Sequence, residues 1–365
     1  MAIRWINAGR VSSYRSQSIY HGLAYAQTPE TPDTVVVVIP ENPYICIGYF
    51  QEAAKEVDLD YCTRQQLPVI RRETGGGTVY IDSGQLFVQW VCQPGFLPRK
   101  VEHRFQLFNK ALIETYKFFG IQAYHYPVND VHVEGKKIVG TGAATIGNAE
   151  VITGNFLFHF DIEIMTRALN LPNQEFRKVI NSSLNRYITW MKRELNHPPT
   201  HTEVIDIYKT KCEIALGTEL VEGDFTPDER RAIEQVEEKL GREDWLHSVK
   251  SPNSNNKLVK IHAGVWVGWM VYELTEYSIS VFSQTRNNVL EMIRFYFPSD
   301  ITPAWGLNKL EEALIAVPLI EGEVSNRISE YFKKDKVIDK ILSIDEWTKA
   351  IMRIRSEIQK VSGNV

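Results

Sequence analysis

The chain has 365 residues, of which 44% are hydrophobic and 24% charged, and its formal net charge is −4. This is an ordinary globular composition, long enough for two domains. The charge balance lacks the basic surplus typical of nucleic-acid-binding proteins. No stretch approaches the ~18 apolar residues of a membrane span, and residues 1–6 lack the apolar core of a secretory signal. We therefore expect a cytoplasmic protein, monomeric by default, that binds neither nucleic acid nor a membrane.

The cysteines argue against metal and redox chemistry. The four of them, Cys46, Cys62, Cys92 and Cys212, lie far apart and form no C-x-x-C pair. Zinc binding and dithiol redox chemistry are therefore not expected. We expect each cysteine to pack in or near the core.

The first half of the chain is rich in strand patterns. Apolar, largely β-branched runs predict strands at residues 34–39, 44–48 and 86–91. An apolar stripe predicts one helix that ends at Gly120; its members are Phe105, Phe108, Leu112, Tyr116 and Phe119. Two hairpins follow, with turns at residues 134–135 and 147–148, and then a separate strand at 156–158. These elements predict an α+β fold with a mixed, mostly antiparallel sheet.

The second half divides into a helical part and a second group of strands. Residues 163–246 are helical in pattern and charged, and the polar residues 251–256 predict a linker. Strand patterns follow at 264–272, 277–282 and 289–297. The last helix begins with Ser343 and Glu346 in capping-box spacing. We predict a first domain over residues 1–250 and a small α+β accessory domain over 257–365.

The most informative motif is Arg-Arg-Glu-Thr-Gly-Gly-Gly-Thr-Val-Tyr at residues 71–80. The glycines let the backbone approach a ligand and direct N–H groups at it, and two guanidiniums can bind an anion. The pattern suits a phosphate or carboxylate, most naturally an acyl-adenylate. It is neither a P-loop nor a dinucleotide fingerprint. The alternative is a plain flexible hairpin beside solvated arginines.

A second motif lies at residues 129–143 and begins with Asn-Asp. Lys137 stands on a strand just after a tight hairpin, so that its neighbours can aim the ammonium at one spot. Asp130, at the opposite end of the hairpin, could orient an amine, help to hold magnesium or contact a nucleotide. The alternative is that Lys136 and Lys137 are solvated turn residues.

Taken together, the two motifs resemble the lipoate–protein ligase A family of the biotin/lipoate protein ligase fold. The matching pattern is Arg-Arg-x-x-Gly-Gly-Gly-x-Val-Tyr-x-Asp, then Asn-Asp, then Lys-Ile-x-Gly-x-x-Ala. The resemblance covers most of residues 1–245, and residues from about 257 look like the accessory domain of the two-domain ligases.

The resemblance implies an ATP- and magnesium-dependent reaction in two steps. Lipoate would first attack the α-phosphate of ATP, giving lipoyl-AMP and pyrophosphate. A lysine of a lipoyl-domain carrier protein would then take the acyl group and release AMP. Lipoate and octanoate cannot be distinguished as substrates from the sequence.

The same resemblance assigns residues to each substrate. Those on the ATP and adenylate side would be Arg72, Gly75, Gly76, Gly77, Thr78, Val79, Tyr80 and Lys137. Those on the lipoate side would be Arg71, Lys137, Gly140, Thr141, Gly142 and Ala143. Asn129 and Asp130 match the family's Asn-Asp pair. Lys137 would be the catalytic residue, stabilising developing negative charge. No dedicated metal site is implied, apart from a contact through Asp130.

The chain departs from the family pattern at several positions. Ile81 stands where the family often has histidine, Gln85 and Phe87 replace two asparagines, and Thr153 replaces the histidine of a His-Gly pair. These changes concern local hydrogen bonds and the acyl substrate, whereas the glycine run and Lys137 are intact.

Two other functions remain open at this point. An octanoyltransferase of the same fold would transfer its acyl group through a cysteine thioester, yet no cysteine lies between Cys92 and Cys212. A non-catalytic protein that binds lipoyl carriers would fit the changes at Ile81 and Thr153, although the intact Lys137 argues against it. A biotin ligase is disfavoured because its Gly-Arg-Gly-Arg loop is missing.

Overall fold

The structure is a computed structural model that describes residues 2–250, 255–298, 307–334 and 341–362. The chain divides into two compact units, Met1–Asn170 with Leu184–Ser251, and Leu171–Ser183 with Pro252–Val365. The sequence-based boundary at residue 250 differs from this division, because it assigns residues 171–183 to the first domain. The predicted linker at 251–256 lies mostly outside the described residues.

The described residues contain strands and helices throughout. The strands are β1 (Ile3–Val11), β2 (Thr34–Pro40), β3 (Tyr44–Ile47), β4 (Val69–Arg71), β5 (Val79–Ile81), β6 (Gln85–Cys92), β7 (Tyr124–Tyr126), β8 (Asp130–Val133), β9 (Lys136–Val139), β10 (Thr141–Ile146), β11 (Ala149–Leu157), β12 (Leu220–Glu222), β13 (Lys257–His262), β14 (Val265–Glu273), β15 (Ser278–Arg286) and β16 (Val289–Tyr296). The helices are α1 (Ser13–Tyr25), α2 (Ala53–Glu56), α3 (Leu59–Arg64), α4 (Val101–Phe118), α5 (Ile162–Ala168), α6 (Gln174–Tyr187), α7 (Met191–Glu194), α8 (His201–Leu216), α9 (Pro227–Leu240), α10 (Glu243–Leu246), α11 (Asn308–Leu314), α12 (Glu321–Lys334) and α13 (Ile344–Ser362).

The centre of the first unit is a six-stranded mixed sheet in the order β10-β11-β6-β2-β1-β12. Its pairs from β10 to β2 are antiparallel, whereas β2–β1 and β1–β12 are parallel. Two three-stranded sheets, β4-β3-β5 and β7-β8-β9, complete the unit. The predicted α+β class with a mixed, mostly antiparallel sheet is confirmed.

Both faces of the central sheet are covered, which explains the uninterrupted apolar run of β2. Val35 and Val37 belong to the core beneath α4 and α8. Val36 and Val38 belong to the core on the opposite side, which α1 and α9 close. A strand that is buried on both faces reads as a continuous hydrophobic run instead of an alternating one. Each buried valine contributes ~1.5–3 kcal/mol relative to exposure.

The second unit contains a four-stranded antiparallel sheet in the order β13-β14-β15-β16. Its core is apolar and aromatic and combines sheet residues such as Trp266 and Val281 with Trp347 of α13. The predicted capping box is present, because Ser343 Oγ accepts from Glu346 N and Glu346 Oε2 accepts from Ser343 N. None of the helices among the described residues is long and apolar enough to cross a bilayer.

Most elements predicted from sequence are present. The helix predicted from the Phe105 stripe is α4, and Gly120 follows it with φ +89°. Both hairpins form at the predicted turns. The separate strand predicted at 156–158 is wrong, because β11 runs without a break from Ala149 to Leu157 and pairs with β6 over that length. Helix α1 was not predicted, since its buried face carries polar residues in place of an apolar stripe.

Candidate active site

Arg71, the first arginine of the glycine motif, is fully buried at the end of β4. Its guanidinium donates five hydrogen bonds, at 2.7–3.3 Å, to the backbone carbonyls of Gly48, Tyr49, Trp245 and Leu246. The indole Nε1 of Trp245 donates in return to the Arg71 carbonyl at 3.0 Å. Burial lowers the pKa of Arg71. The side chain joins the stem of the glycine loop to residues 245–246, and its predicted contact with lipoate stays a prediction.

Arg72 contacts the glycine loop itself. Its Nη2 donates to the carbonyls of Gly75 at 2.9 Å and Gly77 at 2.8 Å, while Nη1 donates to the Cys46 carbonyl at 3.3 Å. One guanidinium thus holds both ends of the glycine run. It also fixes a positive charge beside the loop amides, which is an arrangement suited to an anion.

The three glycines have distinct roles in the backbone. Gly76 has φ +99°, a conformation that glycine adopts readily. Its carbonyl lies so close to Gly48 that a Cβ on Gly48 would be 2.1 Å from it. At Gly75 and Gly77 a Cβ would meet no described heavy atom within 4 Å. The loop is therefore fixed at residue 76 and open on either side, where a ligand can approach its N–H groups.

The chain leaves the loop through Thr78, Val79 and Tyr80. Thr78 Oγ1 donates to Gln51 Oε1 at 3.3 Å, and the same oxygen accepts from Gly48 N at 2.9 Å. Val79 is 39% exposed, whereas Tyr80 is buried. Burial raises the pKa of Tyr80, so its phenol remains protonated at neutral pH. Of these three side chains, Val79 is the most exposed, Thr78 is partly exposed and Tyr80 is buried.

Lys137, on the β8–β9 hairpin, forms an ion pair with Asp130. The distance between Lys137 Nζ and Asp130 Oδ1 is 2.8 Å, and the two side chains are 22% and 2% exposed. A carboxylate buried to this extent requires a cation or hydrogen bonds. The backbone is held as well, because the Lys137 carbonyl accepts from Thr189 N at 2.9 Å. Asp130 therefore orients an amine in this structure, the first of the three roles that the sequence left open.

The remaining residues of the lysine motif form the strand that follows. Asn129 and Thr141 are joined twice, by Asn129 Nδ2 to Thr141 Oγ1 at 3.1 Å and by Thr141 Oγ1 to the Asn129 carbonyl at 2.7 Å. This cross-link closes the base of the hairpin that carries Asp130 and Lys137. Gly142 and Ala143 lie in β10 and are partly exposed.

The structure brings the two motifs together. A Cβ on Gly142 would lie 3.5 Å from Thr74 Oγ1, which places β10, the strand that follows the lysine strand β9, against the glycine loop. Side chains also connect them: Gly140 N donates to Asn155 Oδ1 at 2.9 Å and Asn155 Nδ2 to Gln85 Oε1 at 2.7 Å. Gln85 Nε2 in turn donates to the Tyr80 carbonyl at 2.9 Å. We call this chain of hydrogen bonds the Asn155–Gln85 relay.

Sequence reasoning missed two residues that support this site, His21 and Asn155, and it noted Gln85 only as a departure from the family pattern. His21 is fully buried in α1; its Nε2 accepts from Glu73 N at 3.0 Å and its Nδ1 lies 2.7 Å from the Gln17 carbonyl. Burial lowers the pKa of His21 to about 4. The one available signal was the departure at Gln85, because a changed residue beside an intact motif marks altered local hydrogen bonds.

The cysteines are inert in this structure. All four are free and buried, as predicted. Burial raises the pKa of each thiol, to about 11 for Cys62 and about 12 for Cys212. A nucleophilic cysteine needs a depressed pKa and access to substrate, and none of the four has either.

An open loop of glycine amides beside a fixed arginine, next to an ion-paired strand lysine, is the arrangement expected of an acyl-activating or acyl-transferring site. Residues 19–213 match the family model described as "Lipoyl protein ligase A/B catalytic domain". The chain therefore belongs to the lipoyl protein ligase A/B catalytic-domain family, which confirms the family expected from the two motifs.

Among curated relatives, lipoate-protein ligase A subunit 1 of Thermoplasma acidophilum is 27% identical over 247 residues, which is 64% of this chain and 87% of the relative. Octanoyltransferase LipM of Kyrpidia tusciae is 23% identical over 267 residues, 66% of this chain and 97% of the relative. The family thus includes both ligases and octanoyltransferases among the relatives of this chain.

Solved structures share the fold. A bi-partite lipoate protein ligase of Thermoplasma acidophilum, described with its E2 lipoyl domain, has a TM-score of 0.63 and 23% identity and covers 69% of this chain and 99% of its own. Lipoate-protein ligase A bound with ATP has a TM-score of 0.59 and 21% identity, covering 68% and 100%. LipL1 of P. falciparum in complex with lipoate covers 98% of this chain and 100% of its own, with a TM-score of 0.54 and 16% identity.

Proposed function

We propose that this chain is an ATP-dependent lipoate–protein ligase, which converts lipoate to lipoyl-AMP and transfers the lipoyl group to a lysine of a carrier protein. The observation that carries the proposal is the arrangement of charge. Lys137 is a cation paired with Asp130, and Arg72 donates hydrogen bonds to the carbonyls at both ends of the glycine run. The two segments that carry these groups pack together through Thr74 and Gly142. All four cysteines are buried and burial raises the pKa of each thiol, which disfavours an acyl thioester.

In the first step, the lipoate carboxylate attacks the α-phosphate of ATP, and the bond to pyrophosphate breaks. Two anions must approach each other, so the site has to supply positive charge without reacting itself. Arg72 and the N–H groups of Gly75, Gly76 and Gly77 would bind phosphate oxygens. Lys137, held by Asp130, would bridge the lipoate carboxylate and the phosphate as negative charge develops there.

In the second step, the ε-amine of an acceptor lysine attacks the acyl carbon of lipoyl-AMP and AMP leaves. We propose a lipoyl domain as the carrier, on the strength of the E2 lipoyl domain described with the Thermoplasma acidophilum relative. Lys137 is not the acyl acceptor in this proposal, because its ammonium is committed to a buried carboxylate. The acyl tail of lipoate or octanoate would pack against the apolar strand residues beside the motifs. It would also contact Gly140, Thr141, Gly142 and Ala143.

Magnesium would enter with the phosphates of ATP. This ion is commonly bound through one or two carboxylates and substrate phosphates, and Asp130 is the carboxylate paired with Lys137. Its Oδ1 is engaged by Lys137, so its fit to a metal is limited to a single shared contact. The ion would neutralise phosphate charge, while Arg72 and Lys137 position the reacting groups.

An octanoyltransferase is the second candidate, favoured by the similarity to LipM of Kyrpidia tusciae. As a transferase the protein would need a thiolate nucleophile within reach of Lys137. Instead, Cys46 and Cys212 are fully buried, and burial raises the pKa of both thiols. The thiol environments therefore favour the ligase. We further propose that the chain works in the cytoplasm and that residues 257–365 act as an accessory domain.

The decisive experiment is lipoate-dependent release of pyrophosphate from Mg-ATP. Lys137→Ala should abolish the release, whereas Lys136→Ala, a matched change one position away on the same hairpin, should retain it. Circular dichroism of both variants would establish that they are folded. Release from the Lys137→Ala variant at the wild-type rate would overturn the role of Lys137. Absence of release from the folded wild type, together with octanoyl transfer from a carrier thioester or phosphopantetheine donor, would establish the second candidate.

A further inference from the structure

Glu73 lies between the two arginines and the glycines, and the proposed chemistry gives it no task. Its side chain is nevertheless fixed at both oxygens: Oε1 is 2.6 Å from Lys239 Nζ, and Oε2 accepts from Tyr25 OH at 2.6 Å. Its backbone N–H is taken by His21 Nε2. Burial would raise the pKa of Glu73, but the hydrogen bonds from Lys239 and Tyr25 outweigh it and hold the pKa below its ordinary value. Glu73 is therefore a carboxylate at neutral pH.

The partner of Glu73 is itself held in place. Lys239 Nζ lies 4.0 Å from the ring centroid of Trp245 and 5.6 Å from that of Tyr25, where aromatic faces attract an ammonium. Lys239 belongs to the last turn of α9. This helix is packed tightly on α1, since a Cβ on Gly22 would lie 2.5 Å from Ile233 Cα. Glu73 is thus bonded to two helices that are packed closely against each other.

Trp245 connects Glu73 and Lys239 to Arg71. Its indole donates to the Arg71 carbonyl, and its own carbonyl accepts from Arg71 Nε at 3.1 Å. We call Glu73, Tyr25, Lys239 and Trp245 the stem clamp, because together they hold the chain just before the glycine run.

The stem clamp affects the position of the glycine run that follows it. Among the described residues, a Cβ on Gly75 or Gly77 would meet no heavy atom within 4 Å, and glycine has more backbone freedom than any other residue. The direction of the run's N–H groups therefore depends on the hydrogen bonds from Arg72 to the Gly75 and Gly77 carbonyls and on where the chain enters and leaves the run. The entry point is Glu73–Thr74, which the stem clamp fixes.

We propose that Glu73 is a positioning residue for the phosphate-binding loop, and that its ion pair with Lys239 sets the affinity of this loop for the nucleotide phosphates. This inference rests on the proposed function, because it assigns ATP to the loop. The inference goes beyond the proposed function because it gives residues of α1, α9 and α10, which lie outside both motifs, a part in nucleotide binding.

The test compares Glu73→Gln and Lys239→Met with a matched control. Glu150→Gln removes a carboxylate of equal exposure, 12%, from an ion pair with Arg104 at 2.7 Å in the same unit. We expect the two clamp variants to raise the KM for ATP by about tenfold while kcat changes by less than about twofold. The double variant should raise the KM by less than the product of the two single effects, because the two residues share one ion pair. Glu150→Gln should leave the KM unchanged.

A second measurement separates this inference from the proposed function. Hydrogen exchange of a peptide covering residues 71–80, in the protein without nucleotide, should be faster in Glu73→Gln than in wild type or Glu150→Gln. If wild type releases no pyrophosphate, the proposed ligase activity fails, and the exchange result still decides whether the clamp orders the loop. Unchanged exchange in Glu73→Gln, or equal losses of thermal stability in Glu73→Gln and Glu150→Gln with no effect on KM, would overturn the positioning role.

Discussion

His21 should make the first unit lose stability in mild acid. The ring is buried between α1 and the glycine loop, with Nε2 accepting from Glu73 N and Nδ1 beside the Gln17 carbonyl. An acceptor at Nε2 requires the neutral tautomer that carries its proton on Nδ1. Protonation of Nε2 would break the bond to Glu73 N and bury a charge, which agrees with a pKa lowered to about 4 mainly by burial.

The expected magnitude follows from the difference between the folded and unfolded pKa values. In the unfolded chain His21 titrates at 6.5, so between pH 6.5 and 4 the unfolded state binds the additional proton. Stability is therefore highest above pH 6.5 and falls as the pH decreases towards 4. At ~1.4 kcal/mol per pKa unit, the full loss is about 3 kcal/mol, and about 2 kcal/mol is lost by pH 5. Because His21 is fully buried, no reduction for solvent screening applies.

The assay is urea unfolding of wild type and His21→Gln at pH 7.5 and pH 5. Glutamine keeps an acceptor for Glu73 N and cannot titrate, so wild type should lose about 2 kcal/mol more than the variant between these pH values. His125 and His201, whose pKa values burial also lowers, titrate in both proteins and cancel in the comparison. Equal losses in the two proteins would refute the reasoning, because the protonation of His21 would then carry no cost on folding.

Three further substitutions test the construction of the site by urea unfolding at pH 7. Gly48→Ala would place a Cβ 2.1 Å from the Gly76 carbonyl, and we expect it to cost about 1–3 kcal/mol; an unchanged midpoint would contradict the close approach. Arg71→Lys cannot satisfy four backbone carbonyls, so it should cost about 3 kcal/mol, and a neutral result would show that these bonds add no stability. Lys137→Met removes the cation beside buried Asp130 and should cost about 3 kcal/mol; wild-type stability in this variant would mean that the pair is not formed in solution.

The sequence alone predicted the elements that are determined by residues close together in the chain. The apolar run of β2, the stripe of α4 and the turn residues of two hairpins each specify one structure, and each was predicted. The glycine run and Lys137 were recognised for the same reason, because a rare combination of residues lies within a short segment. What the structure adds is that Thr74 and Gly142 bring the two segments into contact.

The environments of the two arginines could not be read from sequence. Arg71 is the last residue of β4 and Arg72 follows it, and the sequence does not specify which of the two guanidiniums is buried. Arg71 binds carbonyls at residues 245–246, 174 and 175 positions away. A buried arginine whose hydrogen-bond acceptors lie so far away along the chain produces no local sequence pattern by which it could be predicted. Helix α1 was not predicted, for a related reason. Its buried polar side chains form hydrogen bonds with β3 and with the chain just before the glycine run.

The Asn155–Gln85 relay accounts for one departure from the family pattern, the glutamine at position 85. Gln85 stands where the family pattern has asparagine, and its longer side chain reaches both Asn155 and the Tyr80 carbonyl. Asn155 in turn holds Gly140 N, at the end of the strand that carries Lys137. Gln85 and Asn155 therefore act as one unit that fixes the strand leaving the glycine loop relative to the lysine strand. Loss of the Asn155 amide would leave the side-chain oxygen of buried Gln85 without this partner, so we interpret Gln85 as compatible with an intact site.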